Sequence, residues 1–105
     1  PKETKLFRNE AWLIFKDGLT IIALKASRWT KRYDIIVSGR RIGSVRRRGR
    51  SLSHMFNFGR YKLELYVNSD NLCLMRANLY IDDVFQSSER VSTRWKNIDT
   101  KVSSA

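Results

Sequence analysis

The segment from Arg40 to Arg50 holds the residues whose types and spacing best suit a chemical task. It reads Arg-Arg-Ile-Gly-Ser-Val-Arg-Arg-Arg-Gly-Arg. Each guanidinium is a planar fork that donates two parallel hydrogen bonds to a phosphate and does not deprotonate. Gly43 and Gly49 keep the backbone adaptable. Ser44 and Ser51 add hydroxyl donors. The segment therefore predicts a surface that binds phosphate groups.

The positive charge of the chain is concentrated around this segment. The 105 residues include 21 Lys and Arg against 10 Asp and Glu, a formal net charge of +11. From Arg28 to Arg50 there are nine basic residues and one acid, Asp34, which leaves +8. The nine are Arg28, Lys31, Arg32, Arg40, Arg41, Arg46, Arg47, Arg48 and Arg50. Such a field attracts nucleic acid or another anionic surface.

An aromatic residue accompanies these cations. Trp29 stands in the polar context Ser27-Arg28-Trp29-Thr30-Lys31, where we expect it to be exposed. An exposed ring among arginines can stack on the bases of single-stranded nucleic acid. Trp29 therefore joins the nine basic residues as the predicted nucleic-acid-binding set. Phe56 and Phe58, which follow the segment, we expect in the core.

Three interpretations of the arginines stay open. About four to six phosphate contacts would give strongly salt-dependent binding to DNA or RNA without sequence choice. The same charges could bind an acidic protein or a membrane surface. They could also serve only to keep a solvated hairpin soluble. The paired aromatic motifs of the common RNA-recognition sheet are missing, so base-specific readout is not predicted.

Patterns for catalysis or metal binding are missing from the sequence. Cys73 and His54 are the single cysteine and histidine, which excludes an intrachain disulfide and a zinc site of four Cys or His ligands. Arg48-Gly49-Arg50-Ser51 lacks the first glycine of a phosphate-binding loop. Asp82-Asp83 predicts a solvated turn, and the alternation around Cys73 predicts its burial. We expect a non-enzymatic protein without a cofactor or metal.

Turn-forming dipeptides in the sequence predict the elements that position the arginines. Asp17-Gly18 separates two β-prone runs and predicts a type I′ turn. Ser38-Gly39 separates Tyr33 to Val37 from the arginine segment in the same way. Gly43 predicts a β-bulge. The basic residues are therefore expected on a hairpin rather than on a helix.

Alternating apolar residues continue along the rest of the chain. The later candidate strands are His54 to Phe58, Tyr61 to Val67, Leu72 to Ile81 and Val84 to Gln86. About eight short strands in successive hairpins predict an all-β antiparallel meander folded into a sandwich or barrel. In the polar segment 88–105, Val91, Trp95, Ile98 and Val102 are spaced for a short helix. We expect one domain over residues 1–105 with its core in 11–87.

The order of these motifs carries a family resemblance. The motifs are Trp12 and then Asp17-Gly18, Lys31-Arg32 before Val37-Ser38-Gly39-Arg40, Phe56, Phe58 and Gly59 before Leu63 to Val67, and Leu79-Tyr80-Ile81-Asp82. Together they resemble the Fas apoptotic inhibitory molecule family over about Trp12 to Ser87. The resemblance implies a β-sandwich that acts through protein contacts without catalytic residues. The chain departs from the family in its many arginines.

Targeting signals are equally sparse. No run approaches the roughly 18 apolar residues of a membrane span. The charged residues Lys2, Glu3, Lys5 and Arg8 do not suit a secretory leader. We expect an intracellular protein, cytoplasmic or, in a eukaryote, nuclear. A meander leaves strand edges that can pair, which allows a homodimer.

Overall fold

The protein is described from a computed structural model, which defines residues 2–6, 10–27, 29–68, 74–91 and 101–104. Side chains are described for residues 10–27, 29–68 and 75–90. The described residues form strands and turns without a helix. The strands are β1 (Lys2–Leu6), β2 (Glu10–Asp17), β3 (Thr20–Ser27), β4 (Arg32–Val37), β5 (Arg40–Arg46), β6 (Ser51–Phe58), β7 (Tyr61–Asn68), β8 (Leu74–Ile81), β9 (Val84–Val91) and β10 (Lys101–Ser104). The predicted all-β class is confirmed.

Two antiparallel sheets make up the architecture. The first sheet has the strand order β10-β1-β2-β3-β4-β5, and the second has the order β6-β7-β8-β9. Strands β1 to β5 and β6 to β9 are successive neighbours, so the predicted meander is confirmed within each sheet. The link at residues 47–50 carries the chain from the edge of one sheet to the edge of the other.

The core lies between the two sheets, as the alternation of apolar residues predicts. Every second residue of β2, β3, β4, β7 and β8 points into it. The buried cluster comprises Ala11, Leu13, Phe15, Ile22, Leu24, Ala26, Tyr33, Ile35, Phe56, Leu63, Leu65, Val67, Met75, Ala77 and Leu79. Phe56 belongs to this cluster, and Phe58 packs against it while half-buried. Packing of the two inner faces confirms a sandwich.

The two predicted hairpin turns differ in their outcome. In the β4–β5 turn, Ser38 and Gly39 both have positive φ angles, 49° and 85°, as the predicted type requires. In the β2–β3 turn, Asp17 pairs with Thr20, so the turn is centred on Gly18-Leu19 and the prediction is wrong by one residue. Asp17 stays in the strand, where it accepts a 2.7 Å hydrogen bond from the Tyr61 hydroxyl of the other sheet.

The bulge predicted at Gly43 is confirmed. Ile35 pairs with Gly43 and Ile36 pairs with Arg41, which leaves Ile42 as the extra residue of β5. A Cβ at position 43 would lie 3.1 Å from Cγ2 of Ile35 and 3.2 Å from Cδ1 of Phe56. The missing side chain lets β5 approach the core at this point.

The C-terminal part differs from the expectation. The predicted helix falls mainly on residues 92–100, which lie outside the described residues. Its two ends, Val91 and Val102, lie in β9 and β10, so a helix over the whole interval is wrong. Pairing of β9 with β8 and of β10 with β1 extends the backbone at both ends.

Cys73, which was expected to be buried, also lies outside the described residues. No helix among the described residues is long and apolar enough to cross a membrane.

Candidate functional site

The arginine segment is divided by the structure into two groups. It forms β5, an edge strand that pairs with β4, and the link to β6. Arg40 lies opposite Val37 at one end of β5, whereas Arg46 lies opposite Arg32 at the other. At a rise of about 3.3 Å per residue, the two ends are roughly 15–20 Å apart. The ten predicted site residues therefore do not form one patch.

The larger group, which we name the basic end, consists of residues 29–32 and 46–50. The backbone amide of Arg47 donates a 2.8 Å hydrogen bond to the Lys31 carbonyl, which holds the β3–β4 turn against the link. The basic end contains six cationic side chains and no acidic one: Lys31, Arg32, Arg46, Arg47, Arg48 and Arg50. Arg28 belongs to the predicted set but lies outside the described residues.

Trp29 lies in the turn of the basic end. Its side chain is 73% exposed, which confirms the exposure predicted from its polar neighbours. Lys31, two residues after Trp29, has a φ of 56°, a left-handed conformation that closes the turn. A large aromatic ring is thus presented to solvent within the same cluster as the cations.

Arg32 and Arg47 of the basic end have structural contacts of their own. Arg32 pairs with Asp34 at 3.0 Å. Arg47 donates from Nε to the Tyr33 hydroxyl at 3.4 Å and from Nη1 to the carbonyl oxygen of Gly49. Arg47 therefore braces the link to β6. Arg46 and Arg48 are exposed on either side of it.

A groove on the second sheet begins where the link ends. Ser51, the residue after Arg50, starts β6, and the groove has a volume of about 390 Å³. Its lining residues are Ser51, Leu52, Ser53, Tyr66, Val67, Asn68 and Arg76. The Arg76 guanidinium carbon lies 5.4 Å from the centre of the Tyr66 ring, a cation–π contact. The groove adds a second aromatic ring and a further arginine next to the basic end.

Sequence reasoning missed Tyr66 and Arg76 as candidate binding residues. The alternation of β7 already places Tyr66 among its outward residues. Arg76 joins it because β7 and β8 pair with Tyr66 opposite Arg76. That register depends on the connection between the strands, which the sequence pattern alone does not determine.

Glu64 lies beside this groove at the centre of a hydrogen-bond network. Its carboxylate accepts from Asn78 Nδ2 at 3.1 Å and from the Tyr80 hydroxyl at 3.3 Å. Hydrogen bonds from Tyr66 and Asn78 hold the pKa of Glu64 below its usual value. The same bond to Glu64 raises the pKa of Tyr66. The network orients the Tyr66 ring on the sheet surface.

Acidic residues at the opposite end of the sandwich are engaged with basic ones. Arg60 pairs with Asp82 at 2.7 Å, and Lys62 pairs with Asp83 at 2.5 Å. Asp82 and Asp83 are exposed in a turn with positive φ angles, as their sequence predicts. Among the residues whose placement is described, no three His, Cys, Asp or Glu side chains could share a metal ion. The carboxylates at this end thus balance local cations.

These features define a class: an antiparallel two-sheet β-sandwich with a cationic end and an adjoining aromatic groove. No protein-family model, no curated protein and no solved structure matches the chain.

Proposed function

We propose that this protein binds single-stranded nucleic acid, without catalysis and without strong sequence preference, through the basic end. The observation that carries the proposal is the β4–β5 register. It sets Lys31 and Arg32 beside Arg46 to Arg48, with exposed Trp29 in the same turn. Clustered cations release counterions when they meet phosphates, and an aromatic ring stacks on any base.

The groove of Tyr66 and Arg76 supports a single strand as the ligand. The groove directly follows the link, so a nucleic-acid chain held by Arg48 and Arg50 can continue across the outer surface of β6 and β7. Stacking on Trp29 and Tyr66 requires unpaired bases, which a duplex does not offer. Both DNA and RNA have the phosphates and base faces that this surface would contact.

Two double variants of equal charge test the proposal. Arg46→Gln with Arg48→Gln removes two exposed cations from the basic end, whereas Arg40→Gln with Arg41→Gln removes two from the opposite end of β5. Arg47 is kept because it braces the link. The probes are fluorescein-labelled 20-nucleotide DNA and RNA of mixed sequence, measured by anisotropy from about 50 to 300 mM salt.

We expect the wild-type protein to bind at about 50 mM salt and the first variant to bind roughly 5- to 20-fold more weakly. The slope of log affinity against log salt should fall by about 1.4, because two single-strand phosphate contacts are lost. The control variant should stay within about twofold of wild type. Absence of wild-type binding, or an equal loss in both variants, overturns the proposal. Thermal unfolding confirms that both variants fold.

A second candidate function is the binding of an acidic protein. The resemblance to the Fas apoptotic inhibitory molecule family implies action through protein contacts, and the positive charge of the chain favours an acidic partner. The observation that favours it is an apolar groove on the outside of the first sheet, lined by Trp12, Ile14 and Ile36. A pull-down with nuclease-treated extract tests it. Partners that survive the nuclease support protein binding, and recovery of nucleic-acid-bridged partners alone contradicts it.

A further inference from the structure

The outer face of the first sheet, which points away from the core, carries an apolar row. Ile14, Ala23 and Ile36 lie side by side across β2, β3 and β4. Trp12 and Ile21 flank this row, and the residues line a groove of about 600 Å³. A sheet with one face in the core usually presents polar residues on the other. Core packing does not account for these apolar side chains.

The small residue at the centre makes this face concave. Ala23 is 6% exposed although it points outward, because larger neighbours rise around it. Ile21 stands at the side of the groove with 43% of its surface exposed. The volume falls within the range of about 300–1,000 Å³ that is usual for binding pockets. Apolar groups of a ligand can therefore enter between the walls.

Glu10 lines the groove, and basic side chains outnumber acidic ones among those described on the outer face around it. Lys25 lies 5.6 Å above the Trp12 ring and pairs with Glu10 at 3.1 Å. Arg32 pairs with Asp34 at 3.0 Å. Both acidic side chains described on this face are therefore matched by a cation. Among the residues whose side chains are described, the cations of this face are Lys16, Lys25, Arg32, Arg41 and Arg46, five against two acids.

We propose that this groove binds an acidic protein segment whose large apolar side chains are flanked by carboxylates. The apolar side chains would occupy the space above Ala23, and the carboxylates would meet Arg41, which lies opposite Ile36 on β5. Charge complementarity of this kind sets partner choice and speeds encounter. The inference rests on the second candidate function, and it concerns a surface distinct from the Tyr66 groove.

The charge and shape of the face select this occupant over others. A second copy of the chain would set the surplus cations of two equal faces against each other. A bilayer requires apolar groups that project from the surface, whereas Ala23 and its row are recessed. A peptide can lower individual side chains into the groove while its carboxylates stay at the rim.

Two substitutions at the groove test the proposal with a matched control. Ile21→Glu places a carboxylate at an exposed apolar wall, and Ala23→Leu fills the groove without changing charge. The control is Val84→Glu, an equal exchange at a 60% exposed position of the second sheet. The probe is a fluorescein-labelled 12-residue peptide in which Leu and Phe alternate with Glu. Anisotropy reports its binding to nuclease-treated protein.

We expect wild-type protein and Val84→Glu to bind within about twofold of each other and both groove variants to bind at least tenfold more weakly. A peptide with Gln in place of Glu should also bind at least tenfold more weakly. Absence of wild-type binding at about 100 μM protein, or equal binding by the groove variants, overturns the proposal. If the protein binds anionic phospholipid vesicles more strongly than the peptide, and Ile21→Glu loses that binding, the face is a membrane-binding surface and the proposal is likewise overturned.

Further measurements separate the possible failures. If Ala23→Leu does not fold, Ile21→Glu at its exposed position still decides the outcome, with thermal unfolding as the check. The pull-down with nuclease-treated extract is repeated with Ala23→Leu. If this variant still recovers the protein partners, the second candidate function stands but this groove is not its site. Oligonucleotide binding should be equal in Ala23→Leu and wild type, since the basic end is not altered.

Discussion

At the scale of single residues, the Glu64 network shows how a surface side chain affects stability. Tyr66, Asn78 and Tyr80 stabilise the charged carboxylate, so the pKa of Glu64 is lower in the folded protein than in the unfolded chain. A lowered folded-state pKa adds stability above the ordinary glutamate pKa. That contribution is lost as the pH falls through the folded-state pKa.

Glu64→Gln should remove this pH-dependent contribution. We expect the variant to be less stable than wild type near pH 7 and the difference to shrink toward about pH 3, as the carboxyl takes up its proton and comes to resemble the neutral amide. The effect is modest because the site lies at the surface. Urea denaturation of both proteins at the two pH values measures it. A constant difference across the pH range would show that the carboxylate charge does not contribute.

At the scale of elements, β5 combines an edge with a bulge. Its position at the edge of the first sheet leaves one row of backbone groups without a neighbouring strand in the described structure. Arg40, Arg41 and Arg46 on this strand oppose the pairing of two copies along that edge. The arginines thus have a physical role beside ligand binding. This role lowers the expectation of a homodimer through β5.

The bulge makes a prediction of its own. Gly43→Val should lower the free energy of unfolding by about 1–3 kcal/mol, because the added methyl groups would press on Ile35 and Phe56. Ser44→Val, one residue further and exposed, should change stability by no more than about 0.5 kcal/mol. The urea concentrations at which the two variants are half unfolded measure this difference in stability. Equal midpoints would mean that β5 can shift away from the core at no cost.

At the scale of the whole molecule, charge is distributed unevenly between the two ends. The basic end collects six cations, with Asp34 paired to Arg32 beside them, whereas Asp82 and Asp83 each pair with a cation at the opposite end. Repulsion among clustered like charges destabilises the folded state, and salt screens it. The cluster is therefore expected to cost stability, as ligand-binding surfaces often do.

Salt should stabilise this protein through that cluster. We expect the unfolding temperature to rise by a few degrees between about 20 and 300 mM sodium chloride. The rise should be smaller in Arg46→Gln with Arg48→Gln than in Arg40→Gln with Arg41→Gln. Calorimetry of the two double variants across this range gives the comparison. The same rise in both variants would assign the repulsion to the net charge rather than to the basic end.

Much of the fold could be predicted from local signals. Alternating apolar residues predict most strands, since successive side chains of a strand point to opposite faces. Ser38-Gly39 predicts its turn because few other pairs tolerate two positive φ angles. The polar context of Trp29 predicts its exposure. The helix prediction near the C-terminus was wrong at both ends. Val91 and Val102 pair in strands with Met75 and Lys5, and a helical spacing of apolar residues does not reveal such pairing between distant segments.

The arginine-rich hairpin was thus determined by the sequence itself, through alternation and turn chemistry that act over a few residues. The tertiary structure alone decided that Arg40 and Arg46 lie at opposite ends of β5. It also decided that Tyr66 meets Arg76, and that Ile14, Ala23 and Ile36 form a row across three strands. Register and strand order depend on contacts between distant segments, and a shift of one residue would turn each side chain to the other face.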